Sequence, residues 1–166
     1  MILDSGTRRE FATGAVRDIQ EGKGRFDLMP LLVMEMLVGK AGEYTPLRGI
    51  ETFRRDGCVV HLYYALRWFA NEYMGGVLPM LMEVAKHFEA GAEKYGERNW
   101  EKGINIHCYI DSAIRHYVKY LDKWEDEPHA AAFCWNLMCC IWTMENKPEL
   151  DDYTERQGER DDGVCK

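Results

Sequence analysis

The sequence predicts an all-α fold. Three observations lead there. Apolar residues recur at i, i+3, i+4 and i+7 over several long stretches, Gly and Pro cluster at the ends of those stretches, and no run shows the period-two alternation of a strand. A chain of 166 residues is long enough for one domain with a sizeable core.

Residues 1–28 are polar and Gly-rich and read as an extended arm carrying GAVRD (Gly14 to Asp18) and GKGRFDL (Gly22 to Leu28). Residues 30–39 are a short apolar stretch, with Pro30 placed for a first helical turn. Residues 40–58 read as loop, because Gly42, Pro46, Gly49 and Gly57 interrupt them. Residues 59–74 read as an amphipathic helix that Gly75 and Gly76 end, with Leu62, Leu66, Phe69 and Tyr73 as its apolar face. The next helix runs from Pro79 to about Tyr95, with Leu81, Val84, Ala85, Phe88, Ala92 and Tyr95 on one side, and Gly96 stops it. A loop with Arg98, Asn99, Trp100 and Gly103 leads to a helix over 106–124, striped by Ile110, Ala113, Tyr117 and Leu121. Pro128 suits the first turn of a last helix reaching about Glu145, with Asp126 or Glu127 as its cap. One domain then spans residues 1–146, and the acidic stretch 147–166 reads as a disordered tail.

Composition narrows the function classes. A net charge of −7 argues against a duplex nucleic acid, which needs a basic face, but leaves room for a small anion held by a local basic cluster. No apolar run has the length of a membrane span. Six cysteines occur without a CxxC pair, which speaks against a zinc site, and the expected compartment is the cytoplasm.

Three polar blocks carry the chemistry: His87 to Gly103, Asp111 to His116 and Asp126 to Asn136. They place carboxylates and histidines where core helices usually carry Leu or Ala, which calls for a paired network or a bound cation. Glu89 and Glu93 lie four apart and point the same way, either as a solvated face or around a divalent ion. Glu89 adjoins the apolar stripe and Glu93 drifts outward. Asp111 has Arg115 at i+4, an ordinary intrahelical pair or a metal-and-phosphate pair. His129 and Asn136 lie two turns apart on one face of an otherwise apolar helix and need hydrogen-bond partners if buried. Asp126 and His129 at i, i+3 form a candidate cation site. Oxygen ligands favour Mg²⁺, and the histidine tilts the choice toward Mn²⁺. Arg17, Lys23 and Arg25 sit beside Gly or small residues and form a candidate anion-binding arm, although the P-loop spacing is missing.

In this order the blocks GAVRDIQEGKGRFDL, HFEAGAEKYGERNWEKG, DSAIRHYVKYL and DEPHAAAFCWNL resemble the phage and bacterial dATP/dGTP diphosphohydrolase family, grouped with the MazG-like all-α nucleoside triphosphate pyrophosphohydrolases. The resemblance covers residues 11–30 and 78–142. It implies a MazG-like helical bundle with an N-terminal arm, from which residues 31–77 depart as a helical insertion, read as an oligomer contact or added core. It also implies metal-dependent hydrolysis of dATP or dGTP to the monophosphate and pyrophosphate, in a role shaping a phage or host nucleotide pool. Alternatives are hydrolysis of another nucleoside triphosphate, or a catalytically silent nucleotide-binding protein.

MazG-like enzymes hold Mg²⁺ with ExxE and ExxD patterns. Here Glu89 would stand for the first helix, with Glu93 one turn on. Asp126 and His129 would take the ExxD-like spacing, with Glu127 and Asp111 nearby. The ExxE is not present as such, and His129 replaces the final Asp. The resemblance further implies that Glu89, Asp126 and His129 are catalytic and that Arg17, Lys23, Arg25, Lys94 and Arg115 hold phosphate. Trp100 would stack on the base, Asn99 would read its edge, and Asn136 would line the substrate site. Helical units of this kind commonly pair, so a homo-oligomer is expected.

Overall fold

The computed structural model describes residues 6–18, 24–29 and 45–155. Strands β1 (Arg8–Glu10) and β2 (Val16–Asp18) form a short hairpin. Five α-helices follow among the described residues: α1 (Pro46–Asp56), α2 (Val60–Tyr73), α3 (Val77–Tyr95), α4 (Ile106–Leu121) and α5 (His129–Asn146). Single 3-10 turns lie at Phe26–Leu28, Asn99–Lys102 and Pro148–Leu150. The class is all-α with a minimal hairpin added. Lys23 and the apolar stretch 30–39 lie outside the described residues. No described helix is long and apolar enough to cross a membrane.

The core is centred on α4 against α5. Ile110, Ala113, Ile114 and Tyr117 of α4 meet Phe133, Leu137 and Cys140 of α5, all at most 1% exposed. Helix α2 adds Leu62, Leu66 and Phe69, and the Phe69 ring lies 4.4 Å from that of Phe133. Burying a side chain of this size contributes about 1.5–3 kcal/mol. The apolar face foreseen on α2 is thus core, apart from the partly buried Tyr73 at its end. Helix α3 rests on α5 along one edge, through Met80, Val84 and His87. The foreseen stripe is off by about one residue: Leu81 is 42% exposed. A helix covered along one edge buries a narrow line, and the apolar pattern was wider than that line.

Residues 46–56, read above as loop, form α1. Each apparent breaker there has a place in a helix. Pro46 opens it, where a missing N–H costs nothing, and Gly57 closes it in the left-handed region at φ 69°. Gly49 sits where α1 crosses α2, and a Cβ there would lie 2.7 Å from Ala65 Cβ. The arm likewise contains structure that no alternation signalled, because its strands are three residues long. They pair antiparallel with Arg9 opposite Arg17. Phe11 and Ala15 of the turn are buried in the core.

Two end effects also differ from expectation. Pro128 is the N-cap residue of α5. The carboxylate of Asp126 meets the ring of His129 and the amine of Lys119 rather than capping the helix backbone. The first part of the foreseen tail is packed. Asp152 pairs with His107, Tyr153 stacks on Phe53, Thr154 is 4% exposed, and Glu155 N–H donates to Arg54 C=O at 2.8 Å. Its acidic residues meet cationic partners on the domain, so a composition typical of disorder becomes ordered. Residues 156–166 lie outside the described region.

Candidate active site

Strand β2 and helices α3, α4 and α5 surround a cavity of about 750 Å³, within the range that small-molecule sites occupy. His116 of α4 and Glu127 line this cavity, and the start of α5 brings the buried His129, which does not line it, against them. His116 Nδ1 lies 2.9 Å from His129 Nδ1, and Glu127 Oε1 lies 3.7 Å from the first and 3.9 Å from the second. These three residues could hold one metal ion. Burial, followed by the neighbouring His129 and Arg115, pushes the His116 imidazole well below its ordinary pKa, so it stays neutral, the form that ligates. His129 turns its other nitrogen to Asp126 Oδ1 at 2.6 Å, and Asp126 also accepts from Lys119 at 2.9 Å. These contacts, Lys119 first, hold the Asp126 carboxyl down at about 2. A carboxylate behind a histidine in this way fixes the ring orientation for a metal.

The remaining candidates divide between the cavity and the scaffold around it. Asp111 is fully buried and accepts from Phe26 N–H at 2.5 Å and from Arg115 Nη2, so it joins the arm to an arginine rather than the cation cluster. Arg115 lines the cavity, and its buried Nε has no hydrogen-bond partner among the described residues. Arg17 also lines the cavity. It donates to Cys108 C=O at 3.1 Å and to Asn136 Oδ1 at 2.5 Å, and it lies over the rings of Tyr109 and Trp135. Asn136 is therefore a holder of Arg17, and its Nδ2 donates to Ala132 C=O at 2.8 Å.

Asn99 spends its amide on the hairpin, accepting from Val16 N–H at 3.0 Å and donating to Val16 C=O at 2.9 Å. Lys94 pairs with Asp18 at 2.9 Å, and Arg25 forks onto Asp27 at 2.7 and 2.6 Å. Trp100 lines the cavity but packs edge-on against Trp142 and Phe88. Glu89 is exposed and lines the cavity, whereas Glu93 is exposed and does not.

Residues 74–153 match the family model described as dATP/dGTP diphosphohydrolase, N-terminal. That segment, just under half of the chain, is similar to the N-terminal part of this family. A curated dATP/dGTP diphosphohydrolase of Salmonella phage PMBT28 is 36% identical over 76 residues, covering 42% of this chain and 26% of the relative. The chain thus spans about a quarter of that relative's length. No solved structure matches.

The matched segment runs from the end of α2 into the packed tail, so it holds Glu89, His116, Glu127 and His129. The hairpin that supplies Arg17 lies before it. Sequence reading did not assign His116 or His87 a role. His116 closes a block already singled out, but its partner His129 sits on another helix, which no intrahelical spacing can reveal. His87 is 9% exposed, lines the cavity beside Trp135, and its Nδ1 has no hydrogen-bond partner among the described residues. Burial lowers its pKa to about 4. The only available signal was a histidine within a buried helix face.

Proposed function

We propose that this protein hydrolyses dATP or dGTP to the monophosphate and pyrophosphate in a metal-assisted reaction at this cavity, drawing down a purine deoxynucleotide pool. The observation that carries the reading is one cavity, walled mostly by the matched segment, that joins a cluster able to hold a cation to the guanidinium groups of Arg17 and Arg115. Two imidazole nitrogens and a carboxylate fit Mn²⁺, which accepts imidazole nitrogen more readily, better than Mg²⁺, which prefers oxygen. When bound, such an ion supplies a polarised phosphoryl oxygen and a more acidic water.

The chain's own residues do the rest. His116, Glu127 and His129 supply the ligand atoms, and Asp126 keeps His129 oriented. Arg115 and Arg17 both line the cavity and present guanidinium groups for phosphate oxygens, Arg17 being fixed by Asn136 and the Cys108 carbonyl. Glu89 adds an exposed carboxylate at the cavity to receive a proton or complete the ligand set.

Pyrophosphate release from a panel of deoxy- and ribonucleoside triphosphates, with Mn²⁺, Mg²⁺ or EDTA, tests this. The expected outcome is metal-dependent release of pyrophosphate and monophosphate, fastest with dATP or dGTP. Glu127→Gln and Glu89→Gln should lose turnover while remaining folded, and Asp126→Asn should weaken the metal about 10–100-fold. A folded protein that releases nothing from any nucleotide would overturn the proposal. Full activity in Glu127→Gln would remove the histidine cluster from the reaction.

A further inference from the structure

The first turn of α4 holds a second cluster that the proposed reaction does not use. Cys108 Sγ lies 3.2 Å from His107 Nε2, and His107 Nδ1 lies 2.5 Å from Asp152 Oδ2. Asp152 is fixed in turn: Oδ1 accepts from His107 N–H at 3.0 Å and Oδ2 from Asn105 Nδ2 at 2.8 Å. Nucleophile, base and orienting carboxylate thus follow one another at hydrogen-bonding distance. Arg9 Nη1 approaches the same sulfur at 3.8 Å, and Cys108 sits near the positive end of α4. Cys108 is a lining residue of the cavity and is 6% exposed.

The ring's protonation decides the direction of the sulfur contact. The Asp152 hydrogen bond, followed by Cys108, raises the His107 pKa to about 10, so at neutral pH both ring nitrogens donate and the sulfur accepts. The other described free cysteines show the contrast. Cys134, Cys139 and Cys140 are buried in the apolar core, where desolvation pushes their thiols up and keeps them inert.

We propose that His107, Asp152 and Arg9 assemble Cys108 as a nucleophilic thiolate in the cavity wall, a site of reversible oxidation by hydroperoxides. The sulfur electron pair attacks one peroxide oxygen, the O–O bond breaks, and an S–O bond forms. The sulfur is oxidised by two electrons to a sulfenic acid and the peroxide is reduced. The departing hydroxide takes the His107 Nε2 proton and leaves as water. A small thiol then displaces water to give a mixed disulfide, and a second thiol restores Cys108.

The test is the rate of alkylation of the full chain by iodoacetamide, in EDTA, with the modified peptide identified by mass. An ordinary thiol, with a pKa of about 8.5, reacts roughly tenfold faster per pH unit between pH 6 and 8. Cys108 is expected to label at a nearly constant rate over that range, Cys108→Ser to lose the label, and Asp152→Asn to restore the steep rise. A steep rise in the wild-type protein would overturn the proposal. So would an unlabelled Cys108 after a time that fully labels the denatured chain. Hydrogen peroxide with a sulfenic-acid trap should add mass at Cys108, and no adduct would remove the oxidation step. These readouts are masses, so they stand apart from success or failure of nucleotide hydrolysis.

Discussion

Asp111 and Arg115 make the sharpest case at the scale of single residues. A carboxylate on a helix with a basic residue four positions on is usually a weak surface pair worth a few tenths of a kcal/mol. Here the carboxylate is fully buried and also receives Phe26 N–H, so removing it leaves a buried guanidinium without its counter-charge. Asp111→Ala is expected to destabilise the protein by about 3–5 kcal/mol, read from the urea midpoint. If Asp111 is this link and no metal ligand, Mn²⁺ affinity of the folded fraction should be retained; a complete loss of metal binding would place it among the ligands.

His87 gives a pH prediction at the same scale. Its folded pKa, about 4, lies below the ordinary 6.5, so between these values the native state binds fewer protons than the unfolded chain. Its contribution is therefore present above about pH 6.5 and lost as pH falls toward 4. The loss is on the order of 3 kcal/mol at most. His116 shifts in the same direction. In EDTA, the urea midpoint of the wild-type protein should fall more between pH 7.5 and 4.5 than that of His87→Gln. Equal falls would show that His87 does not stay neutral in the fold.

At the scale of elements, the α1–α2 crossing and the hairpin follow one rule: a residue that breaks local regularity is placed by what it touches across the fold. Gly49 lets α1 approach α2 so closely that a methyl would meet Ala65 Cβ at 2.7 Å and His61 C=O at 2.8 Å. Gly49→Ala should raise intrinsic helix propensity yet lower stability by about 1–3 kcal/mol, because neither contact is a flexible side-chain end. A thermal melt decides, and a stabilised variant would mean that the helices can separate at no cost. The hairpin depends on Asn99 in the same way, through two hydrogen bonds to the Val16 backbone. The local pattern put Gly49 in a loop, and the family resemblance gave Asn99 a base edge to read. Their partners lie on other elements, and a local pattern holds no record of them.

For the whole molecule, the segment after α5 behaves as part of the domain. Truncation after Asn146 removes the Asp152–His107 and Glu155–Arg54 pairs and the Tyr153 ring on Phe53. The expected loss is about 2 kcal/mol or more, which lowers Tm by at least about 4 °C for a chain of this length. An unchanged Tm would return these residues to a dispensable tail. The family match likewise runs to residue 153, past the last helix. The cavity is a property of the whole as well: its helical wall belongs to the segment that matches the family, while Arg9 and Arg17 reach it from the hairpin outside that segment.

The sequence by itself determined the class, the extents of α2 to α5 within a few residues, and the family that the segment from α3 to α5 resembles. These rest on helical period, on Gly and Pro at boundaries and on ordered blocks, all of them local or linear properties. Tertiary structure alone decided which polar residues meet. His116 and His129 are 13 positions apart, Asn99 and Val16 are 83, and Arg17 and Asn136 are 119. Such pairs form because α4, α5 and the hairpin turn particular faces to one another while burying their apolar sides, and that mutual orientation is a property of the packed core.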